Sequence, residues 1–147
     1  MDQRTAPYAI LLLRVTLGTY AIAHLYWKFF VLDGSLHAWW TNLNNAGYPD
    51  WVIVYVLTGE FVCAVCLIPG ILTRWVALYA LPLMVGAAHY WLRRTGFFFT
   101  VAGAELPILW AIGLLVQAGL GDGKYALVPS LPFPIIGGNR GRTMPTG

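Results

Sequence analysis

Charge is what this sequence has least of. Only 10% of its 147 residues are Asp, Glu, Lys or Arg, while 59% are hydrophobic; soluble domains carry roughly 25% charged residues. So low a charge content points away from an ordinary soluble domain and toward an integral membrane protein. The length fits one domain. Four spanning helices of ~20 residues each would use most of it. Nine Lys and Arg against six Asp and Glu leave a net charge of +3. The basic residues stand singly at the ends of apolar runs, where topology signals sit, and form no phosphate-binding stripe, which argues against nucleic acid. Cysteine is almost absent. Cys63 and Cys66, in "CAVC", are the only pair. With no second ligand pair a zinc site is not expected. Lipid does not supply the accessible, electropositive setting that thiolate chemistry needs, so the pair reads as small buried apolar residues. The sequence has no flavin, iron-sulfur or nucleotide motif and no convincing internal repeat. No small-residue cleavage site follows the first apolar stretch, which is expected to stay as a signal anchor.

What is abundant is long apolar runs, over residues 7–30, 51–68, 75–92 and 98–120. Each is long enough to cross a hydrocarbon core of ~30 Å. The expected fold is all-α, a bundle of four transmembrane helices spanning residues 1–127, followed by a Gly- and Pro-rich cytoplasmic tail over 128–147, extended or disordered. Between the first two runs, "DGSLHAWWTNLNNAGYPD" suggests a short interfacial helix capped by Ser35, with Trp39, Trp40 and Leu43 on the membrane surface. The short links "PGILTR" and "RRTG" make the second, third and fourth helices antiparallel neighbours. Pro82 and Pro107 fall inside the third and fourth runs and should kink them. Gly86, Ala87, Ala88, Gly103 and Gly113 are small enough to let helices approach closely. Trp27, Trp39, Trp40, Trp51, Trp75 and Trp91 sit near the expected interfaces, as belt residues do. Arg4, Arg74, Lys124, Arg140 and Arg142 fall on the side shared by the termini, against Lys28, Arg93 and Arg94 on the other. That balance places both termini in the cytoplasm.

Ionisable groups inside a bilayer are costly, at ~2.5–3.5 kcal/mol on insertion scales, and by default mark function. At ~1.5 Å rise per residue, His24 late in the first run, His89 late in the third and Glu105 early in the fourth share one depth, with Glu60 slightly deeper. Two histidines and two carboxylates in one layer would form a polar site. The plainer alternative is that each is a satisfied interhelical hydrogen bond. Arg14 lies in the inner half, cannot lose its proton, and needs a partner; Glu60 on the next helix is the expected one, the alternative being that Arg14 snorkels to the cytoplasmic surface, and its role reads as structural. Tyr20, one turn from His24, can share a pocket with Tyr90, Trp91 and the "GFFF" run. An apolar pocket with a few placed polar groups suits a quinone head group.

"LLLRVTLG", "AHLYWKF", "GYPDW", "TGEFVCAVCLIPGILTRWVAL", "LMVGAAHYW", "GAELPILW" and "GDGKYAL", in that order, resemble the DoxX family of small four-helix membrane proteins. The resemblance implies a four-helix bundle in the bacterial or archaeal cytoplasmic membrane with both termini inside. Similar members include the small subunit linked to a terminal quinol oxidase and to thiosulfate:quinone oxidoreductase. Carried over to this sequence, the family's polar positions are Arg14, His24, Lys28, Glu60, Thr73, Arg74, His89 and Glu105. "CAVC" and the long tail depart from the family pattern.

The leading functional expectation is a redox-linked membrane subunit that binds a quinone. His24 and His89 would bond its oxygens, with Tyr20, Tyr90, Trp91 and Glu105 around it, and Glu60 and Glu105 would relay protons. Electrons would enter from a partner subunit, so the chain alone is not a complete enzyme. The alternative is a structural or assembly subunit of a larger membrane protein complex. A bis-histidine haem between His24 and His89 is a third reading, for which nothing else in the sequence asks.

Overall fold

The long apolar runs form helices, and the fourth does so only over its second part. In the computed structural model, which describes residues 4–131, the elements are α1 (Ala6–Tyr26), continued by a π-helical turn (Trp27–Val31), then α2 (Ser35–Asn45), α3 (Asp50–Leu67), α4 (Thr73–Arg94), a 3-10 turn (Phe99–Val101) and α5 (Glu105–Leu120). Three helices are long and apolar enough to cross a membrane: α1 with its π-turn, α3 and α4. α5 is a shorter apolar helix of 16 residues. Residues 132–147, most of the expected tail, lie outside the described residues.

α1 packs on α3 and α5, and α4 packs on the same two helices, so α1 and α4 stand diagonally across the bundle. The core between them is built from small and medium side chains, including Ala21, Ala64, Ala77, Ala80, Leu83 and Leu114. Large ones such as Leu12, Phe61, Leu109 and Phe30 point outward. Small residues inside and large ones outside is the pattern expected where lipid, not water, surrounds the helices. The closest approaches use Gly18, where a Cβ would meet Ile68 of the α3 end, and Gly59, where it would meet Leu83 of α4. Of the small residues expected at such contacts, Gly113 packs against Leu17 and Ala88 is buried, whereas Gly86 faces open space and Gly103 lies in the loop before α5.

Two helix boundaries differ from expectation. The fourth run does not start a helix at residue 98. Gly96 and Ala102 take positive φ angles of 93° and 57°, and a Cβ on Gly103 would strike the backbone of Phe97 and Phe98. "GFFFTVAG" is therefore an apolar loop, and Glu105 is the first residue of α5. Pro107 then lies in the first helical turn, where its missing N–H costs nothing and no kink is required. Pro82 remains inside the uninterrupted α4; the Tyr55 hydroxyl donates to the Tyr79 carbonyl beside it. Helix α2 forms where expected, but Ser35 does not cap it: Gly34, at φ 77°, occupies the cap position.

Candidate functional site

Two polar knots lie in the bundle. The first joins α1 to α3. In the π-turn Leu32 N donates to Trp27 O at 2.9 Å, and among its side chains Lys28 alone is buried, 3% exposed, while Trp27, Phe29 and Phe30 point outward. Winding with an extra residue per turn is common at functional sites. Lys28 forms a buried ion pair with Glu60 of α3, its Nζ donating to both carboxylate oxygens. The ammonium also lies 4.5 Å over the Trp39 ring of α2, a cation–π contact. One turn before Lys28, the His24 Nδ1 stands 3.9 Å from Glu60 Oε1. The His24 ring meets Trp110 of α5 edge-on at 4.9 Å, and Tyr20 meets the same indole at 5.9 Å. His24 keeps 53% of its side chain exposed, whereas Glu60 keeps 4%. The imidazole thus connects a buried carboxylate with the outer flank of the bundle.

The expected four-residue layer does not assemble. His89 is on α4, diagonal to α1, and its Nδ1 pairs with the Tyr48 hydroxyl at 3.3 Å. Glu105 accepts the Phe99 N–H at 3.1 Å, pinning the apolar loop. Depth counted along a helix does not fix which side of the bundle a residue faces. Tyr90 stacks edge-on with Trp91 at 5.0 Å and lies 5.9 Å from Tyr48, so these rings belong with His89 and not with His24. Lys28, counted with the outer charges and also carried as a polar position, is buried in its ion pair with Glu60. Trp110, Trp39 and Tyr48 are contributors that the sequence reading did not assign to a site. Trp39, expected as a belt residue, lies under the Lys28 ammonium, and Trp40, expected likewise, donates to Asp50 at 2.8 Å. Cys63 is buried and Cys66 half-buried, both as free thiols.

The second knot lies at the opposite end and corrects the partner of Arg14. Its guanidinium, 2% exposed, does not reach Glu60. It donates instead to the backbone carbonyls of Asp122, at 3.0 Å, and Tyr125. Gly70, at φ 81°, has no Cβ, and one placed there would overlap that guanidinium. The Asp122 carboxylate accepts the Thr73 N–H at 2.7 Å, the Ser130 N–H at 2.7 Å and the Ser130 hydroxyl at 2.9 Å. Asp122 thereby caps α4 from 49 residues away in the chain, since the helix has no side-chain cap of its own. Burial pushes its pKa up, but the hydrogen bonds from Ser130 and Thr73 outweigh burial and hold the carboxyl below its ordinary pKa. Arg74 N donates to Ser130 Oγ at 3.3 Å. Val128, at the expected start of the tail, bridges to Ile71. Thr73 and Arg74 are thus part of a structural clasp.

Among the described residues, no group of three or more His, Cys, Asp or Glu could hold a metal ion. The DoxX family model matches residues 9–101. That is well over half of the chain, which therefore belongs to the DoxX family. The match takes in Arg14, His24, Lys28, Glu60 and His89, and stops before Glu105, Trp110 and Asp122. No curated protein and no solved structure matches the chain.

Proposed function

We propose that this DoxX-family chain is the quinone-binding subunit of a larger membrane redox complex, with the site at His24, Glu60 and Lys28. In this reading α5 completes a fourth crossing, α2 lies in the interface, and both termini are cytoplasmic. With Lys28 removed from the outer count, Arg4, Arg74 and Lys124 at one end stand against Arg93 and Arg94 at the other, in keeping with that orientation. The observation that carries the proposal is the half-exposed His24 ring, set between two aromatic rings, the exposed Tyr20 and the half-buried Trp110, and a buried carboxylate at 3.9 Å. Such a flank fits a lipophilic ring with polar oxygens: Trp110 and Tyr20 supply apolar surface, and the imidazole supplies the hydrogen bond.

A quinone, when bound, carries electrons together with protons. The chain's own part is to hold the ring and move the proton. The His24 ring nitrogens can donate or accept a hydrogen bond, and Glu60 Oε1 is the carboxylate oxygen beside them. Lys28 balances the Glu60 charge, and its own charge is shared with Trp39. Electrons come from a partner subunit. The resemblance of the motifs to the small subunit linked to quinol oxidase and thiosulfate:quinone oxidoreductase supports this division of labour.

The test is extraction of lipid-soluble cofactors from full-length protein purified in mild detergent. The expected result is quinone bound to the native chain and lost from His24→Phe, with helix content unchanged. Quinone retained in full by His24→Phe would overturn the assignment. A purely structural subunit is favoured by one observation, the mutual satisfaction of Lys28 and Glu60, which can fix helix register without chemistry. Native purification then yields a stoichiometric partner and no quinone.

A further inference from the structure

At the end of the bundle occupied by the last turn of α4, an open cavity of about 580 Å³ lies between that helix and the turn leading into α3, lined by Gly47, Tyr48, His89, Tyr90, Arg93 and Arg94. Its charge is unbalanced. Among the described residues, no carboxylate lines it. Asp50, the acid nearest in sequence to the Tyr48 wall, is turned toward α2, where it accepts from Trp40 Nε1 at 2.8 Å and Asn44 Nδ2 at 3.1 Å. Arg94 donates to the Tyr90 hydroxyl at 3.0 Å and lies 5.7 Å over that ring, so its partner is neutral. Among the described residues, Arg93 has neither an ion pair nor a hydrogen bond through its side chain. Basic residues at a helix C-terminus are ordinary. A walled cavity that gathers two guanidinium groups, an imidazole and two phenols without an acid is not.

We propose that this cavity is a binding site for a phosphate group, filled from the membrane side by an anionic phospholipid headgroup. Guanidinium forks match the oxygens of a phosphate, and the imidazole and phenols add further hydrogen-bonding positions. Arg94 is held over Tyr90 and is therefore pre-positioned; Arg93 supplies the free donor set. The adjoining loop presents exposed Phe97, Phe98 and Phe99 at the same end of α4. Aromatic side chains of this kind favour the headgroup level of a bilayer. The site thus lies where headgroups are, with its apolar rim turned to the lipid.

The experiment uses the full chain in nanodiscs of phosphatidylcholine doped with phosphatidylglycerol, released gently and weighed intact to count retained lipids. Native protein is expected to retain phosphatidylglycerol selectively. Retention falls about tenfold or more in Arg93→Gln/Arg94→Gln, since each basic contact at a membrane surface contributes on the order of 1 kcal/mol. It also falls in Arg93→Lys/Arg94→Lys, which keeps the charge but removes the forks, and stays unchanged in Lys124→Gln at the opposite end. Millimolar inorganic phosphate separates the sources: no competition identifies the lipid headgroup, and displacement of the lipid retains the phosphate site but moves its natural ligand to the aqueous phase. Equal retention in the native chain and the Gln pair overturns the site. Full retention in the Lys pair also overturns it, because a bare positive surface would then suffice.

Discussion

Two knots in one small bundle answer buried charge in opposite ways. Arg14 and Asp122 are both met largely by backbone: two carbonyls receive the guanidinium, and the N–H groups of Thr73 and Ser130 reach the carboxylate. Lys28 and Glu60 are met by side chains alone, with a half-exposed imidazole beside them. Backbone groups cannot change protonation or rotate away, so the first arrangement is fixed. Side chains can do both. The contrast separates a clasp from a site in a chain where every ionisable group looks equally costly from sequence.

The strongest way to break this contrast is to strand a charge in the side-chain knot. Glu60→Ala leaves the Lys28 ammonium buried and unpaired, and should cost about 3–5 kcal/mol, read as a lower unfolding midpoint in detergent. Lys28→Met combined with Glu60→Leu should restore most of that stability while quinone retention stays lost. Recovery of both would make the pair a register lock. In the backbone knot, Arg14→Met should destabilise by about 3 kcal/mol through two orphaned carbonyls, with no double mutant able to rescue it, because the partners are not side chains. The smallest effect is expected from Asp122→Asn, about 1 kcal/mol for a weakened helix cap. Because the Asp122 pKa is lowered by folding, its contribution is complete above the ordinary aspartate pKa of ~3.9 and fades as pH falls through the lower folded value. Acid titration of stability in native and Asp122→Asn protein should therefore converge at low pH.

The helices were legible because each apolar run is long, and Glu60 and His24 stood out because nothing apolar explains them. The family was legible in the ordered motifs. The angular position of His89 was not, since depth along a helix says nothing about which helices stand diagonally. The burial of Lys28 was not legible, because a π-helical turn has no signature in the hydrophobic pattern and the lysine counts with the outer charges in sequence. Glu105 was misplaced because "GFFFTVAG" is apolar enough to read as helix, while its geometry is set by Gly96 and Gly103. The partner of Arg14 was invisible for a different reason: side-chain patterning cannot reveal that a carbonyl at residue 122 or 125 will fold back on the first helix.

That return contact also sets an order of events during synthesis. The groups that receive Arg14 lie 108 and 111 residues downstream, and the acid that starts α4 is made after α4 itself is complete. The ribosome must deliver α1, α3, α4 and α5 before the arginine finds its lasting partners, so the earliest helix is held provisionally until the latest described segment arrives.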